Sequence, residues 1–308
     1  MTHRLHAIVL GSAAGGGVPQ WNCRCRVCRL AWDGSGVVRP RTQSSIAVSA
    51  DGERWLLLNA SPDLRQQIWN QPALHPRTGA RHSPIEAVLI TNGDVDHVTG
   101  LLTLRERQPF ALYGTGQTLA TIADNQIFAV LADDVVTRRE VHLGERFEPL
   151  PGLGIEIFPV PGKVPLWLEG AELAKGTLDT GQIGENTVGV TIAAGGARLV
   201  YIPGCAHLTA AVKARIEGAD ALLFDGTLFT DDEMIRAGLG DKTGRRMGHT
   251  PISGMDGTMA ALGDVTVGRR IFIHINNTNP VLIETSEERR EATSRGWDVS
   301  FDGMELTL

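Results

Sequence analysis

Residues 91–97 read Thr91-Asn92-Gly93-Asp94-Val95-Asp96-His97, and they directly follow the largely apolar run 85–90. An apolar run of this length predicts a buried strand, and ligands collect at the ends of strands in open sheets. Asp96 and His97 are residue types that bind metal ions, and Asn92 and Asp94 lie in the same loop. A solvated acidic turn would explain the same residues, so the metal interpretation depends on what the rest of the chain offers.

Three further elements place a candidate ligand or catalytic group at a strand end or in a loop. The apolar stretch 271–275 carries His274, although a lone histidine in such a strand is often an ordinary core residue. His249 precedes a predicted helix, where it is either an ordinary loop residue or a general acid or base. Asp225 follows the apolar run 222–224, where it would be a metal ligand, a partner that orients one, or a turn former.

The composition limits the class of protein. The chain has 308 residues, of which 42% are hydrophobic, which is enough for a sizeable core. The formal net charge is −6 and no long basic run occurs, which argues against nucleic acid as a partner because phosphate binding needs clustered Lys and Arg. No run of about eighteen apolar residues occurs, so we expect no membrane span and a cytoplasmic location. A homodimer is compatible with the sequence.

Three of the four cysteines crowd into Cys23-Arg24-Cys25-Arg26-Val27-Cys28. Loops this short would strain a disulfide bond, so a disulfide framework is disfavoured. Thiolates are good zinc ligands, and three of them offer most of a tetrahedral site. The spacing therefore predicts a structural zinc knuckle.

The order of the predicted elements favours two sheets packed face to face, with helices on the outside. Strands come first, alternating strands and helices follow, and the same order then repeats. Near the candidate site we predict helices over 117–128 and 252–262, and a strand over 270–275. The Gly- and charge-rich segment 161–184 predicts a long loop beside the site.

Several motifs together resemble one known family. The glycine-rich stretch 11–22 leads into the three cysteines, and the segments 92–97, Gly248-His249-Thr250-Pro251 and His274-Ile275-Asn276-Asn277-Thr278-Asn279-Pro280 follow. This combination resembles the pyrroloquinoline quinone (PQQ) biosynthesis B proteins of the metallo-β-lactamase superfamily, over nearly the whole chain. The resemblance implies an α/β (α+β) fold, the four-layer αββα sandwich. It also implies that residues 1–308 form a single domain with the zinc knuckle near 23–28.

The superfamily's metal-binding turn reads His-x-His-x-Asp-His, and here Asn92 and Asp94 stand in place of its first two histidines. A further histidine expected near 160–164 and a bridging aspartate expected after 201–202 are also missing. Asp96, His97 and His274 remain, and two imidazoles with one carboxylate are the ligand set of non-haem Fe(II) oxygenases. The resemblance adds an association with iron-dependent hydroxylation of a tyrosine-derived (Glu-Tyr) PQQ precursor. Zn²⁺ binds such sites more tightly and is expected to replace Fe²⁺ in aerobically purified protein.

The surrounding residues take roles that follow from this ligand set. Asp94 or Asp225 would supply a fourth ligand or orient a coordinated histidine, and His249 would deprotonate a phenol or catechol. In a related phosphodiesterase branch a histidine completes the structural zinc site at the position of Asn277. The fourth zinc ligand here would therefore be Asn277, a water or another residue.

The substrate would bring several carboxylates, because it derives from Glu and Tyr. Cationic side chains are the natural partners of carboxylates. Four residues in the two loops expected to border the site are the candidates: Lys163, Lys175, Arg245 and Arg246. Lys and Arg residues in loops are usually solvated surface charges. Whether these four side chains border the site is therefore decided by their positions in the structure.

Two other functions fit the same residues. One is a carrier or transport protein that holds PQQ or its precursor without turning it over, and the other is a single-metal hydrolase with His249 as general acid. The carrier predicts binding of the quinone without oxygen consumption, whereas the hydrolase predicts turnover of ester substrates without oxygen. The expected partners are the small-molecule precursor or PQQ and other proteins of the PQQ pathway.

Overall fold

The computed structural model describes residues 4–163 and 183–308, and these residues form two seven-stranded β-sheets. The first sheet contains β1 (His6–Gly11), β2 (Ser45–Ser49), β3 (Trp55–Leu58), β4 (Ile85–Leu89), β5 (Phe110–Gly114), β6 (Val136–Glu140) and the C-terminal β14 (Glu305–Thr307). The second sheet contains β7 (Arg146–Leu150), β8 (Leu153–Pro159), β9 (Val188–Ala194), β10 (Ala197–Ile202), β11 (Ala219–Asp225), β12 (Val267–Ile273) and β13 (Trp297–Val299).

The helices of the described residues lie between the strands along the chain. They are α1 (Arg26–Trp32), α2 (Leu64–Asn70), α3 (Val95–Val98), α4 (Gly116–Ala123), α5 (Ala210–Ile216), α6 (Glu233–Arg236), α7 (Thr258–Ala261) and α8 (Glu287–Ser294). Short 3₁₀ helices occur at Pro72–Leu74, Thr99–Leu104, Gln126–Val130, Arg245–Met247 and Pro280–Leu282. Within the described ranges, no helix has both the length and the apolar character needed to cross a membrane.

The two sheets share one topological pattern. The first has the order β14-β1-β2-β3-β4-β5-β6 and the second β13-β12-β11-β10-β9-β8-β7. In the first, β3, β4, β5 and β6 pair in parallel, and in the second, β10, β11, β12 and β13 do so. The carboxyl ends of parallel strands meet at one edge of a sheet, so the loops after β4, β11 and β12 are placed to form a site.

Burial on both faces of the strands explains the layers. Along β11, Ala221 and Leu223 pack in the core between the sheets, whereas Leu222 and Phe224 pack under the outer helices. Along β3, Leu56 and Leu58 face the same central core and Leu57 faces the opposite outer layer. Strands buried on both faces are continuous apolar runs, as the sequence is here. The predicted α/β (α+β) fold, an αββα sandwich of the metallo-β-lactamase type, is confirmed.

Two predicted helices are shorter than the sequence suggested. The helix predicted over 252–262 forms only as α7, because Gly254 has a left-handed φ of +96° and a Cβ at Gly257 would lie 2.1 Å from the Ser253 oxygen. The helix predicted over 117–128 ends at Ala123 and continues as the 3₁₀ turn Gln126–Val130. The strand predicted over 270–275 ends at Ile273, one residue before His274.

Candidate metal centre

A cleft of ≈ 550 Å³ opens at the carboxyl ends of the parallel strands. It is lined from the first sheet by the loop after β4, including Asp94, Asp96 and His97, and from the second sheet by His249 and His274. The predicted site residues of both sheets therefore meet, although Asp96 and His274 are 178 positions apart in the chain.

Three of them bring their ligand atoms together. One ligand atom each from Asp96, His97 and His274 lies within 4.8 Å of the others. Asp96 Oδ2 is 3.2 Å from His274 Nε2 and 3.9 Å from His97 Nε2. Both histidines are buried and Asp96 is half-buried. Two imidazoles and a carboxylate in this arrangement can hold a divalent metal ion on one side and leave coordination positions open on the other.

The backbone around His97 is fixed by the end of β3. The His97 carbonyl accepts a hydrogen bond from Ala60 N at 2.8 Å, and Gly100 N donates to Ala60 O at 2.8 Å. Position 100 must be glycine for this approach, because a Cβ there would lie 2.1 Å from the Ser61 oxygen. The short helix α3, which begins after Asp94, thus carries His97 on a segment tied to the sheet.

Asn92 sets the orientation of His97. The Asn92 Oδ1 atom lies 2.6 Å from His97 Nδ1, and since a carbonyl oxygen only accepts, the imidazole proton is on Nδ1. The lone pair is then on Nε2, which is buried and has no hydrogen-bond partner among the described residues. A buried imidazole nitrogen without a partner is costly, and a metal ion would satisfy it. Asn92, which stands in place of the superfamily's first histidine, thus orients the candidate ligand His97.

Thr227 plays the corresponding part for His274. His274 follows β12 with a left-handed φ of +58°, and its Nδ1 lies 2.9 Å from Thr227 Oγ1. The same hydroxyl is 2.7 Å from Asp225 Oδ1, a carboxylate oxygen that can only accept its proton. The hydroxyl therefore accepts the His274 Nδ1 proton, and Nε2 faces Asp96 at 3.2 Å, where a metal ion would take the place of the proton between them.

Asp225 is fully buried at the end of β11, and both its oxygens are already occupied. Oδ1 accepts bonds from Thr227 N and Oγ1, and Oδ2 accepts from Cys205 N at 3.0 Å and His249 Nδ1 at 2.8 Å. Asp225, His249 and His274 also bring ligand atoms within 4.8 Å of one another. Because four donors saturate the carboxylate, this second group fits an orienting network better than a second metal site.

The pKa values of the three candidate ligands are all shifted, because the three side chains are close together and shielded from water. Burial raises the pKa of Asp96, but His97 and the hydrogen bond from His274 lower it more, so the net pKa is below its usual value. Burial lowers the pKa of His274, yet Asp96 outweighs it and the net pKa is raised. Burial lowers the pKa of His97, which favours the neutral imidazole that metals bind.

Glycine stands at two of the positions near which the missing hydrolase ligands were expected, Gly162 and Gly204. A Cβ at Gly162 would lie 2.3 Å from Thr187 Oγ1, so no side chain fits there. Gly204, after β10, lies against the His249 ring, with its Cβ position 3.7 Å from Cε1. Asp94 lines the cleft but does not belong to the cluster of three ligand atoms. Its role as fourth ligand or orienting residue remains a prediction.

The three clustered cysteines form a second candidate metal site. The Sγ atoms of Cys23, Cys25 and Cys28 lie within 4.8 Å of one another, and all three thiols are free. Burial raises the pKa of the Cys25 thiol to about 12, so a cation is needed to hold it as a thiolate. The Asn277 side-chain amide reaches Cys28 Sγ at 3.2 Å, and its backbone oxygen is 3.4 Å from Cys25 Sγ.

Asn277 therefore lies beside the thiols, where a fourth ligand would complete a tetrahedral zinc site. A half-turn of its amide would present Oδ1 instead of Nδ2 to the cluster. Asn277 is also three residues after His274, so the cysteine cluster and the candidate active-site ligand share one segment. The fourth zinc ligand remains a prediction.

Of the predicted substrate-binding residues, only Lys163 lines the cleft among the described residues. Arg245 forms an ion pair with Asp256 at 2.6 Å instead, and Arg246 is not part of the lining. Lys175 lies outside the described residues. The structure adds Lys242, which lines the cleft and was not predicted. Asn92 and Thr227 were also missed as orienting residues, and no sequence signal beyond their proximity to Asp94 and Asp225 marks them.

Comparisons with known proteins agree with this fold. A profile described as a β-lactamase superfamily domain matches residues 54–275. The chain is 64% identical to the coenzyme PQQ synthesis protein B of Methylorubrum extorquens AM1 over 304 residues, covering 99% of this chain and 100% of that protein.

Two solved structures extend the comparison. The Zn²⁺-bound PqqB crystal structure from Methylobacterium extorquens has a TM-score of 0.96 at 64% identity, covering 98% of this chain and 100% of that one. A diphosphatase of the PhnP family has a TM-score of 0.70 at 21% identity, covering 100% and 98%, and shares the fold. The chain belongs to the coenzyme PQQ synthesis protein B family of the β-lactamase superfamily.

Proposed function

We propose that this chain acts in PQQ biosynthesis as an Fe(II)-dependent oxygenase that hydroxylates a tyrosine-derived (Glu-Tyr) precursor. The observation that carries the proposal is the cluster of Asp96, His97 and His274, whose ligand atoms lie within 4.8 Å of one another. The names of the curated relatives support the pathway. The ligand chemistry supports the reaction class, because this ligand set is typical of non-haem iron oxygenases.

The choice of iron rests on the donors. Neutral imidazoles and one carboxylate keep the net charge of the site low, which suits an ion that must be oxidised. Bound Fe(II) would supply the redox chemistry with O₂ that an aromatic hydroxylation requires. Zinc competes for the same donors by intrinsic affinity, so its presence in a relative's crystal structure is compatible with iron as the working metal.

His249 is the proposed base. Its Nδ1 donates to the buried Asp225 at 2.8 Å, which fixes the tautomer and leaves Nε2 as the nitrogen that accepts a proton. Asp225 would also stabilise the imidazolium formed when His249 takes the proton of a phenol or catechol. The side chain of His249 is 16% exposed and lines the cleft, so substrate can reach it.

The cleft also suits a carboxylate-bearing substrate. Lys163 and Lys242 lie in its lining, and ammonium groups bind carboxylates by charge-assisted hydrogen bonds. The volume of ≈ 550 Å³ lies within the usual range for a small-molecule site. We propose that these two lysines orient the amino-acid carboxylates so that the aromatic ring points toward Asp96, His97 and His274.

The test is anaerobic reconstitution with Fe(II), followed by addition of O₂, ascorbate as electron donor and a Glu-Tyr-derived precursor. Oxygen uptake is followed with an electrode, and the product is examined by mass spectrometry for one added oxygen atom. We expect turnover by the wild type and by His207→Ala, a change at an exposed histidine outside the cleft. His274→Ala and zinc-loaded wild type should show no turnover.

The other outcomes identify the alternatives. If the iron-loaded wild type consumes no oxygen but binds PQQ or its precursor tightly, the chain is a carrier and the oxygenase proposal is wrong. If it turns over a phosphodiester or carboxylic ester under anaerobic conditions, it is a single-metal hydrolase.

A further inference from the structure

Four arginines line a second cavity that shares no lining residue with the candidate metal cleft. The arginine cavity has a volume of ≈ 210 Å³ and is bordered by Arg39, Arg41, Arg269 and Arg289 together with Phe301. Only two carboxylates, Glu284 and Asp298, belong to its lining, which therefore carries an excess of two positive charges. This excess is notable in a chain whose formal net charge is −6.

The two carboxylates are already engaged by the outer arginines. Arg39 pairs with Glu284 at 2.8 Å, and Arg269 pairs with Asp298 at 2.8 Å. Among the described residues, no carboxylate lies within ion-pair distance of the guanidinium of Arg41 or Arg289. These two inner arginines are held by neutral groups: Arg41 by Ser12 Oγ and the Ser300 oxygen, and Arg289 by the Val281 oxygen.

The inner arginines retain unused donors and repel each other. A guanidinium has five N–H donors, and only the Nη1 group of each inner arginine is engaged by these bonds. Burial lowers the pKa of Arg41 to about 10; within this net shift the charge of Asp302 acts in the opposite direction, and the charges of Arg289 and Arg39 add to the lowering. Burial likewise lowers the pKa of Arg289, against the opposing charges of Glu284 and Asp298 and together with the charge of Arg39. An anion in the cavity would relieve this repulsion.

We propose that the arginine cavity is a binding site for a small multivalent oxyanion, either a phosphate or a compact polycarboxylate. Guanidinium groups bind both classes through paired N–H donors that match two oxygens of one group. The volume lies below the usual range for drug-sized ligands, so the cavity fits a small, compact anion. Phe301 completes the lining, with the Arg39 guanidinium carbon over its ring at 5.4 Å from the ring centroid. The inference does not depend on the proposed oxygenation.

The test is isothermal titration calorimetry of the metal-loaded protein with inorganic phosphate and, separately, with benzene-1,3,5-tricarboxylate. The second probe is planar and cannot chelate a metal through adjacent carboxylates. Arg289→Gln removes an inner charge, and Arg290→Gln is the matched control, since Arg290 is exposed on the same helix and outside the lining. Potassium chloride at equal ionic strength controls for general screening.

We expect the wild type and Arg290→Gln to bind at least one probe equally well. Arg289→Gln should weaken that binding by about tenfold or more, because a hydrogen bond between charged groups is lost. Binding of phosphate alone would assign a phosphate site, and binding of the tricarboxylate alone would assign a carboxylate site. If neither probe binds the wild type, or if Arg289→Gln and Arg290→Gln behave alike, the proposal is wrong.

Folding of the variants is checked by circular dichroism. If Arg289→Gln does not fold, Arg39→Gln decides the matter, since Arg39 is exposed and its loss leaves Glu284 unpaired in the cavity. Weaker binding by Arg39→Gln then supports the site, and unchanged binding overturns it.

Discussion

Thr227→Val is the most informative single substitution in the candidate metal centre. Valine has nearly the shape of threonine, so the change removes the hydroxyl without opening a cavity. In the wild type, Thr227 Oγ1 is 2.9 Å from His274 Nδ1 and 2.7 Å from Asp225 Oδ1. The variant leaves both buried groups without this partner. We expect the two losses to appear in different measurements.

The lost bond to Asp225 affects the protein whether or not metal is bound, so it should lower the free energy of unfolding. A hydrogen bond to a buried carboxylate contributes about 1.5–3 kcal/mol. The lost bond to His274 frees the imidazole to rotate and to change tautomer, so it should lower metal affinity. Loss of such an orienting partner typically costs about 10–100-fold in affinity. We therefore expect a metal Kd raised by about tenfold or more, and a separate loss of about 2 kcal/mol in stability.

The assay is competition between the protein and a chelator for Zn²⁺ or Co²⁺, with stability followed by urea unfolding of the metal-free protein. Thr227→Ser keeps the hydroxyl and is the matched control, and it should retain metal affinity within about threefold of the wild type. The reasoning fails if Thr227→Val binds metal as tightly as Thr227→Ser, or if both variants lose affinity equally.

Three further predictions follow. Cys25→Ser should lower the zinc content by one ion per chain in metal analysis, and unchanged zinc would contradict the knuckle. Lys163→Ala and Lys242→Ala should each raise KM for the precursor by about tenfold with little change in kcat, whereas Arg245→Ala, paired with Asp256, should leave both constants unchanged. Burial raises the pKa of Glu233 from 4.5 to about 7, so the folded protein binds this proton more tightly than the unfolded chain. The free energy of unfolding should therefore fall by about 3 kcal/mol as pH rises through this window, and Glu233→Gln should abolish that part of the slope in urea unfolding at about pH 5 and about pH 8. Equal slopes for the two proteins would refute it.

The clustering of the candidate ligands could be predicted from the sequence, because each of them is marked by its place at the end of an apolar run. Asp96 and His97 follow β4, and His274 follows β12. Parallel strands bring such ends to one edge of a sheet. A local pattern was therefore enough to predict that residues far apart in the chain lie close together.

The orienting residues could not be predicted in the same way. Thr227 contacts His274 only because β11 and β12 pair in parallel with Asp225 opposite Ile273. Asn92 looked like a lost ligand, and its bond to His97 depends on the turn of α3. Lys242 reaches the cleft from a loop with no periodic pattern.

The helix predicted over 252–262 is shorter in the structure for a local reason, because Gly254 and Gly257 interrupt it.

The candidate ligands come from two different sheets, which has a consequence for how the protein unfolds. A metal ion held by Asp96, His97 and His274 would cross-link segments 178 positions apart and so connect the two sheets of the sandwich. Binding to the folded state alone adds RT ln(1 + [M]/Kd) to stability, about 4 kcal/mol at a free metal concentration of a thousand times Kd. The gain should be concentrated in the strands that end at the site. Amide hydrogen exchange of β4 and β12 should therefore slow most on metal loading, whereas the edge strands β6 and β7 should change little.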